Sequence, residues 1–591
     1  MKKEYGIAFL LIMIAGLAFV TLSGSVFSGY HFMDCSDYIK WKHDLSEMSG
    51  MKCLIKHISG ETGLRFRPAW HLNILLSTVL FGDNMLLQGF RQIFLNIIAA
   101  FLIYLLGRRI HWTHNQSLLF AGIGLIGAQS AVFYQTLAIE TPALIFLLLA
   151  WHCVISYFTG DEGFKKRLRY VGFIAFSLSA ALMKENFILA LPASYVFYCM
   201  QYNEKYHTGF YKTIIHTLKT GLFLFLAMIA CLLAILKYAG SDDFGYAGVS
   251  LTTGFFTYLK SAVYLYVVSG CILAFAGFAY LLRNKKNFWK ESLFPVLVLL
   301  AITGPQIIIY GKSNIIDRYL IPAILGCAWF SIYIYRELKN RDKPVNESLW
   351  KNIFAIAGVP VLIIGGMIVF LKPLQEEIVR YAVRLQGETL RTMTSVSGLQ
   401  YLKSSLYVIG IACMIIGCAL LIWGVRRKKY PVRNLSTLYT VGLLLVLFMN
   451  AGIAFASCKR YAMRGFATES FLKTIIDHSH ADDAILVAGN PWKDMEAVSS
   501  GLPVYLNNRD RTNLFFYPVI DNSRGAELIP GILKDSYQNR DINAIKNKES
   551  VQIVAVFPGS ETIFTNNNDW FKIDSFERNE FPGNYVVYVR K

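Results

Sequence analysis

Long apolar runs separated by short polar punctuation fill the first three quarters of the chain. A helix of about 20 mostly apolar residues crosses the roughly 30 Å hydrocarbon core of a bilayer. By that measure the sequence predicts about 13 spans: 6–28, 88–107, 117–135, 142–158, 170–183, 187–201, 213–236, 262–282, 291–310, 320–336, 352–371, 405–424 and 436–456. The fifth and sixth are short, with only Lys184, Glu185 and Asn186 between them. The first follows Lys2 and Lys3. At about 23 apolar residues it is long for a signal-peptide core and fits a retained anchor.

After residue 456 the pattern changes. Residues 457–591 are polar and contain no span. Ile485–Gly489, Val504–Asn507, Val551–Phe557 and Tyr585–Val589 read as short buried strands, and Phe466–His478 and Trp492–Ser499 as helices. The expected fold class is mainly α: a polytopic membrane helical bundle, 1–456, followed by a small extracytoplasmic α/β domain, 457–591. The first outer loop, 29–87, is long, and long loops are usually functional or disordered. Its Trp41, Leu45, Met48 and Ile55 suggest amphipathic helices on the interface. Its stretch 72–81 is too short to span.

Composition agrees. Of 591 residues 54% are hydrophobic, 14% aromatic and 16% charged, and the mean hydropathy is +0.42. Those values exclude a disordered chain and argue against an ordinary soluble enzyme. A net charge of +19 can signal nucleic acid, so its location decides. With the N-terminus inside, the cytoplasmic loops hold 23 basic residues against 7 acidic ones, as in Arg108/Arg109, Lys165–Arg169 and Arg426–Lys429. This is the positive-inside pattern. Residues 457–591 hold 16 bases and 17 acids, so no nucleic-acid partner is expected. The chain reads as a multi-pass cell-membrane protein with a cytoplasmic N-terminus and an extracytoplasmic C-terminal domain.

Most of the ten cysteines fall in spans, where they pack. Cys35 and Cys53 share the first outer loop and are candidates for a disulfide in an oxidising compartment. There is no CxxC and no Cys/His spacing of a zinc site. Gly122, Gly124 and Gly127 match a dinucleotide fingerprint by letter, but they lie in an apolar run, where small residues serve close packing. Gly311-Lys312-Ser313 lacks the earlier glycine of a phosphate-binding loop.

Candidate chemistry gathers on the outer face. His31, Asp34, Asp37 and Tyr38 open the long loop; a carboxylate there can accept a proton, bind a metal or sit solvated. Arg65, Arg67, Trp70 and His71 at its far end suit a lipid phosphate headgroup or interfacial anchoring. Glu140 sits in the short turn Thr136–Thr141, and an ionisable residue at membrane depth is a functional candidate. Lys184 and Glu185 invite the same reading, or a mutual ion pair at a hairpin tip. Arg318 and Tyr319 open the tenth span, where an arginine holds a phosphate oxygen or snorkels to the interface. Arg380, Arg384, Arg391, Glu376 and Glu377 give the loop 372–404 the spacing of a solvated amphipathic helix.

Several of these features occur in a familiar order: Asp34-Cys35-Ser36-Asp37-Tyr38 after the first span, Arg65–Pro68 with Leu80-Phe81-Gly82, Lys184-Glu185-Asn186 followed by Leu191-Pro192, and Arg318-Tyr319-Leu320-Ile321-Pro322. In that order the chain resembles the GT-C superfamily of integral-membrane glycosyltransferases, especially bacterial mannosyl- and aminoarabinose-transferase types. The motifs cover most of 1–330; beyond that the likeness is one of topology. Cys35 stands where many members carry the second acid of a pair. The resemblance implies inverting transfer of a sugar from a polyprenyl-phosphate donor to a lipid, glycan or protein acceptor on the outer face. It implies Asp34 as general base with Asp37 assisting, and Lys184, Arg318, Arg65 and Arg67 as donor-phosphate ligands. Glu140, Glu185, His31, His71 and Tyr319 would orient the acceptor or a metal; a divalent cation, if used, has Asp37 and Glu140 as candidate ligands. The alternatives are a lipid-linked glycan ligase or polymerase and a non-enzymatic transporter or flippase. A ligase usually places its main outer loop between late spans, and a transporter shows internal repeats that are not evident here.

Overall fold

The computed structural model describes residues 2–32, 35–61, 66–127, 135–160, 162–239, 271–284, 288–305, 317–340, 411, 414, 435–490, 497–518, 551–558, 570–576 and 585–591. Helices dominate. The bundle runs α1 (Lys2–Ser23), α2 (Cys35–Glu47), α3 (Gly50–Glu61), α4 (Pro68–Phe81), α5 (Met85–Arg109), α6 (His114–Leu125), α7 (Glu140–Thr159), α8 (Phe164–Met183), α9 (Glu185–Ile188), α10 (Leu191–Tyr206), α11 (Phe210–Ala239), α12 (Cys271–Asn284), α13 (Phe288–Thr303), α14 (Ile321–Lys339) and α15 (Leu435–Asp477). Among the described residues, five helices are long and apolar enough to cross a membrane: Lys3–Ser23, Met85–Arg109, Glu140–Thr159, Phe210–Ala234 and Arg318–Lys339. Large apolar side chains such as Leu10, Ile14, Ile215, Leu222 and Leu226 stay exposed on them, as a lipid-facing surface requires. The chain is a membrane protein of mainly helical architecture with a small C-terminal sheet.

Charge separates the two ends of this bundle. At one end Arg108 at the close of α5 meets Glu4 at the start of α1, 2.9 Å apart, and Arg109 donates to Ser156 near the end of α7. Arg169 at the start of α8 donates to the Ser156 carbonyl at the same end. The other end gathers the starts of α5 and α7, the close of α8 and the first outer loop. Between them, α5 carries a buried polar stripe, Gln88, Gln92 and Asn96, one helical turn apart. Gln92 donates to Thr141 on α7 at 2.9 Å, and the Thr141 hydroxyl donates to Asn96 at 2.8 Å. Buried polar groups paired in this way lock helices together where hydrophobic contrast with lipid cannot.

Gly122 and Gly124 lie within α6, with no strand before them. A Cβ on Gly122 would meet Leu447 of α15 at 3.1 Å, and one on Gly124 would meet Ile103 of α5 at 3.3 Å. Both therefore serve close packing. The helix ends at Leu125, well short of the predicted 117–135. Gly311–Ser313, the spans 352–371 and 405–424 and the loop 372–404 lie outside the described residues, apart from 411 and 414.

The segment 29–87, expected as the first outer loop, holds two short helices and a third apolar one among its described residues, as its pattern predicts. The expected disulfide is corrected: Cys35 and Cys53 are both buried and not bonded to each other. Cys35 opens α2, whereas Cys53 lies beside Asp44, nine residues further along that helix. At 1.5 Å per residue this separates the two by roughly 13 Å, beyond the reach of a disulfide.

The C-terminal part holds a five-stranded sheet of order β2-β1-β3-β5-β4, with β1 (Ala484–Gly489), β2 (Leu514–Pro518), β3 (Val551–Val556), β4 (Trp570–Phe576) and β5 (Tyr585–Arg590). β1 runs parallel to β2 and β3, while β5 is antiparallel to β3 and β4. β2 and β4 escaped the sequence reading; β2 ends in Pro518, which suits its place at the sheet edge. Val504–Asn507 is helical, not a strand: it belongs to α16 (Leu502–Asn507). Its buried Leu502, Tyr505 and Leu506 recur at helical spacing and face the sheet.

One face of the sheet, with Ile485, Val487, Ile553 and Val587, packs on Phe471, Leu472 and Ile475 of α15 and on α16. The same cluster takes in Tyr30, Phe32, Cys35 and Ile39 from the first outer loop. α15 runs unbroken through the expected boundary at 456/457, so one helix is both a bundle member and the support of the sheet.

Candidate functional site

The buried charges of the loop-side end meet around Glu140. This residue is the first of α7 rather than part of a turn, and it is fully buried. A carboxylate in the first turn of a helix complements the helix dipole, but burial on that scale also needs cations. Lys184 Nζ donates to Glu140 Oε1, and Arg318 Nε lies 3.6 Å from the same oxygen. The second oxygen, Oε2, is buried and has no hydrogen-bond partner among the described residues.

Lys184 reaches that position because the helix breaks there. α8 stops at Met183, Lys184 is extended (φ −156°, ψ 141°), and α9 restarts at Glu185 for a single turn. Broken helices at membrane depth occur where the backbone lines a cavity or is buried in protein. Asn186, just past the break, donates to the Tyr319 carbonyl at 3.0 Å. Arg318 and Tyr319 sit in the tight turn Asp317–Leu320 that leads into α14. The Lys184 ammonium stands 4.1 Å over the Tyr319 ring, a cation–π contact that holds it against Glu140. Arg318 also donates to the Gln135 side chain.

Glu185 turns the other way. It accepts from Arg67 Nε at 2.5 Å, with Arg67 buried at the start of α4. Lys184 and Glu185 therefore do not pair with each other; each has a partner on a different helix. The segment that precedes Glu140 ties this array to the first outer loop. Cys35 Sγ lies 3.5 Å from Thr136 Oγ1, and Tyr38 donates to the Thr136 carbonyl at 3.1 Å. Cys35 is the residue after Asp34.

The structure thus brings together Glu140, Lys184, Arg318 and Tyr319, and sets the Arg67–Glu185 pair beside them through the chain at 184–185. Asp34 and Arg65 lie outside the described residues. Asp37, in the first turn of α2, has Lys40 4.0 Å from its carboxylate and is partly exposed. His31 Nε2 is 2.8 Å from Ser28 Oγ, and its ring stacks on Tyr461 of α15 at 3.6 Å. His71 lies on α4 near the α2–α3 hairpin, with its ring 6.0 Å from that of Trp41. Among the described residues, neither Asp37 nor Glu140 belongs to a group of three metal-ligating side chains. Glu140 already faces two cations, which disfavours a third positive charge.

Three contributors escaped the sequence reading. Gln135 and Thr136 look like ordinary turn residues, and their partners are remote in the chain. The stripe Gln88, Gln92 and Asn96 was open to detection, because polar residues four apart inside a span mark a buried helix face.

No family model matches the sequence, and no curated protein matches it. Among solved structures, the chain is similar to ArnT from Cupriavidus metallidurans in the apo state, at 11% identity over 97% of each chain with a TM-score of 0.47. It is also similar to ArnT from Cupriavidus metallidurans bound to undecaprenyl phosphate, at 12% identity over 98% of this chain and 97% of that one, with a TM-score of 0.49.

Proposed function

We propose that the chain is an integral-membrane glycosyltransferase. It moves a sugar from a polyprenyl-phosphate donor to a lipid, glycan or protein acceptor at the outer face of the cell membrane, with inversion. The observation that carries this reading is the buried Lys184–Glu140–Arg318 array, linked through Thr136 to the start of α2, where Asp34 precedes Cys35. Fixed cations are what transfer from a phosphate donor needs.

In the proposed step an acceptor hydroxyl or amine attacks the anomeric carbon. The bond from that carbon to the phosphate oxygen breaks, and the polyprenyl phosphate leaves with the electron pair. The Asp34 carboxylate takes the acceptor's proton, with Asp37 assisting. Lys184 and Arg318 meet the charge that grows on the phosphate, and preorganised cations of this kind lower the barrier because they need no reorientation. Arg67 and Arg65 extend the basic surface toward the headgroup. Glu140 holds Lys184 and Arg318 in place.

The test is transfer from a synthetic polyprenyl-phosphate sugar by the full-length protein, read by mass spectrometry against envelope glycans from cells with and without the gene. Asp34→Asn is expected to lower transfer by at least about 100-fold with normal membrane yield. Near-normal transfer by that variant removes Asp34 as the base. Identical glycans with and without the gene would overturn the glycosyltransferase reading itself.

A further inference from the structure

The geometry points to a second site on the α2–α3 hairpin, one that takes a thiophilic divalent transition metal of the zinc class. Asp44 near the end of α2 and Cys53 and His57 on α3 bring a carboxylate oxygen, a thiol sulfur and an imidazole nitrogen within 4.8 Å of one another. Cys53 and His57 stand four apart, so they project from one face of the helix. Asp44 comes from the facing helix. Cys53 is fully buried, and Asp44 is nearly so.

The surroundings fix these groups. His57 Nε2 lies 2.7 Å from Asp44 Oδ2, and the imidazole ring stacks on the buried Trp41 at 3.9 Å. A further imidazole, that of His71 on α4, has its ring centre 6.4 Å from that of His57. Lys56 occupies the other carboxylate oxygen at 2.7 Å, but its side chain is 53% exposed and can swing into solvent. A plain ion-pair network would need only Asp44, Lys56 and His57. It does not use the Cys53 thiol, whose sulfur lies within 4.8 Å of the carboxylate and imidazole atoms.

Mixed sulfur, nitrogen and oxygen donors suit zinc and cobalt, whereas magnesium and calcium want oxygen alone. On binding, the Cys53 S–H bond breaks and the thiolate sulfur bonds to the metal. The thiol proton goes to water, and Lys56 keeps its own proton as it leaves. The proton that His57 Nε2 donates to Asp44 shifts through water to Nδ1, which leaves Nε2 free to bind. A fourth position remains for a water molecule. The metal would clamp α2 to α3, and so steady the helix that begins just after Asp34. The site stands independently of the glycosyltransferase reading.

The experiment uses the full-length protein in detergent, stripped by a chelator and titrated with Co(II). One equivalent is expected to produce a thiolate-to-cobalt charge-transfer absorption that Zn(II) abolishes. Cys53→Ser and His57→Ala should each lose that absorption while eluting as the wild type does. Lys56→Gln, a change at an exposed side chain, should bind Co(II) about threefold tighter, because the competing ammonium is gone. No charge-transfer band in the wild type, an unchanged band in Cys53→Ser, or unaltered affinity in Lys56→Gln would each overturn the site.

Discussion

A carboxylate with no exposed surface keeps its charge only where cations are fixed around it, and Glu140 has two, on elements 44 and 178 residues away in the chain. Removing one partner of such a pair leaves an uncompensated buried charge, which costs about 3–5 kcal/mol. Glu140→Gln, which strands Lys184, should therefore lower thermal stability in detergent by that order, and Lys184→Met by less, because Arg318 still faces Glu140. The double variant should regain much of the loss, since neither charge is then stranded, yet it should remain unable to transfer sugar. Thermal unfolding and a transfer assay on the same preparations check this; additive losses would show that the two residues do not act as a pair. The sequence singles out Glu140, Lys184 and Arg318 because ionisable residues between apolar runs are rare. It does not say who pairs with whom. The adjacent Lys184 and Glu185 invite a local pair, and the break at Lys184 sends them instead to α7 and to Arg67.

At the scale of elements, α15 separates what hydropathy reports from what the backbone does. Its apolar pattern fades near residue 456, but nothing in the following residues stops a helix, and it continues to Asp477, a length of about 65 Å. Gly465 sits where α15 presses on the first outer loop: a Cβ there would collide with the Ser28 carbonyl and the His31 ring. Because the main obstacle is backbone, Gly465→Ala should destabilise the protein by about 1–3 kcal/mol. Gly452 on the same helix has nothing within 4 Å of such a Cβ. Gly452→Ala should therefore be neutral or gain up to about 1 kcal/mol from helix propensity. Melting temperatures of the two variants in detergent decide it; equal effects would mean that the contact at Ser28 is not tight.

At the scale of the molecule, charged side chains among the described residues gather at two ends of the bundle. Glu4, Arg108, Arg109 and Arg169 meet at one end, and Glu140, Lys184 and Arg318 at the other, with the sheet beside the latter. If the basic end is cytoplasmic, reporter fusions after residues 110, 285, 340 and 430 should report the cytoplasm, and a fusion after 591 should report the exterior. A cytoplasmic C-terminus would reverse the active face. The sequence by itself determined the helical membrane class, the polar C-terminal part and the short set of ionisable residues worth testing. It could do so because hydropathy and periodicity are local properties of the chain. Only the tertiary structure decided that Lys184 and Arg318 share Glu140, that Tyr30, Phe32, Cys35 and Ile39 belong to the core of the C-terminal sheet, and that Asp44 joins Cys53 and His57. Each of these joins helices or strands that their own sequences leave unpartnered, and packing alone selects the partner.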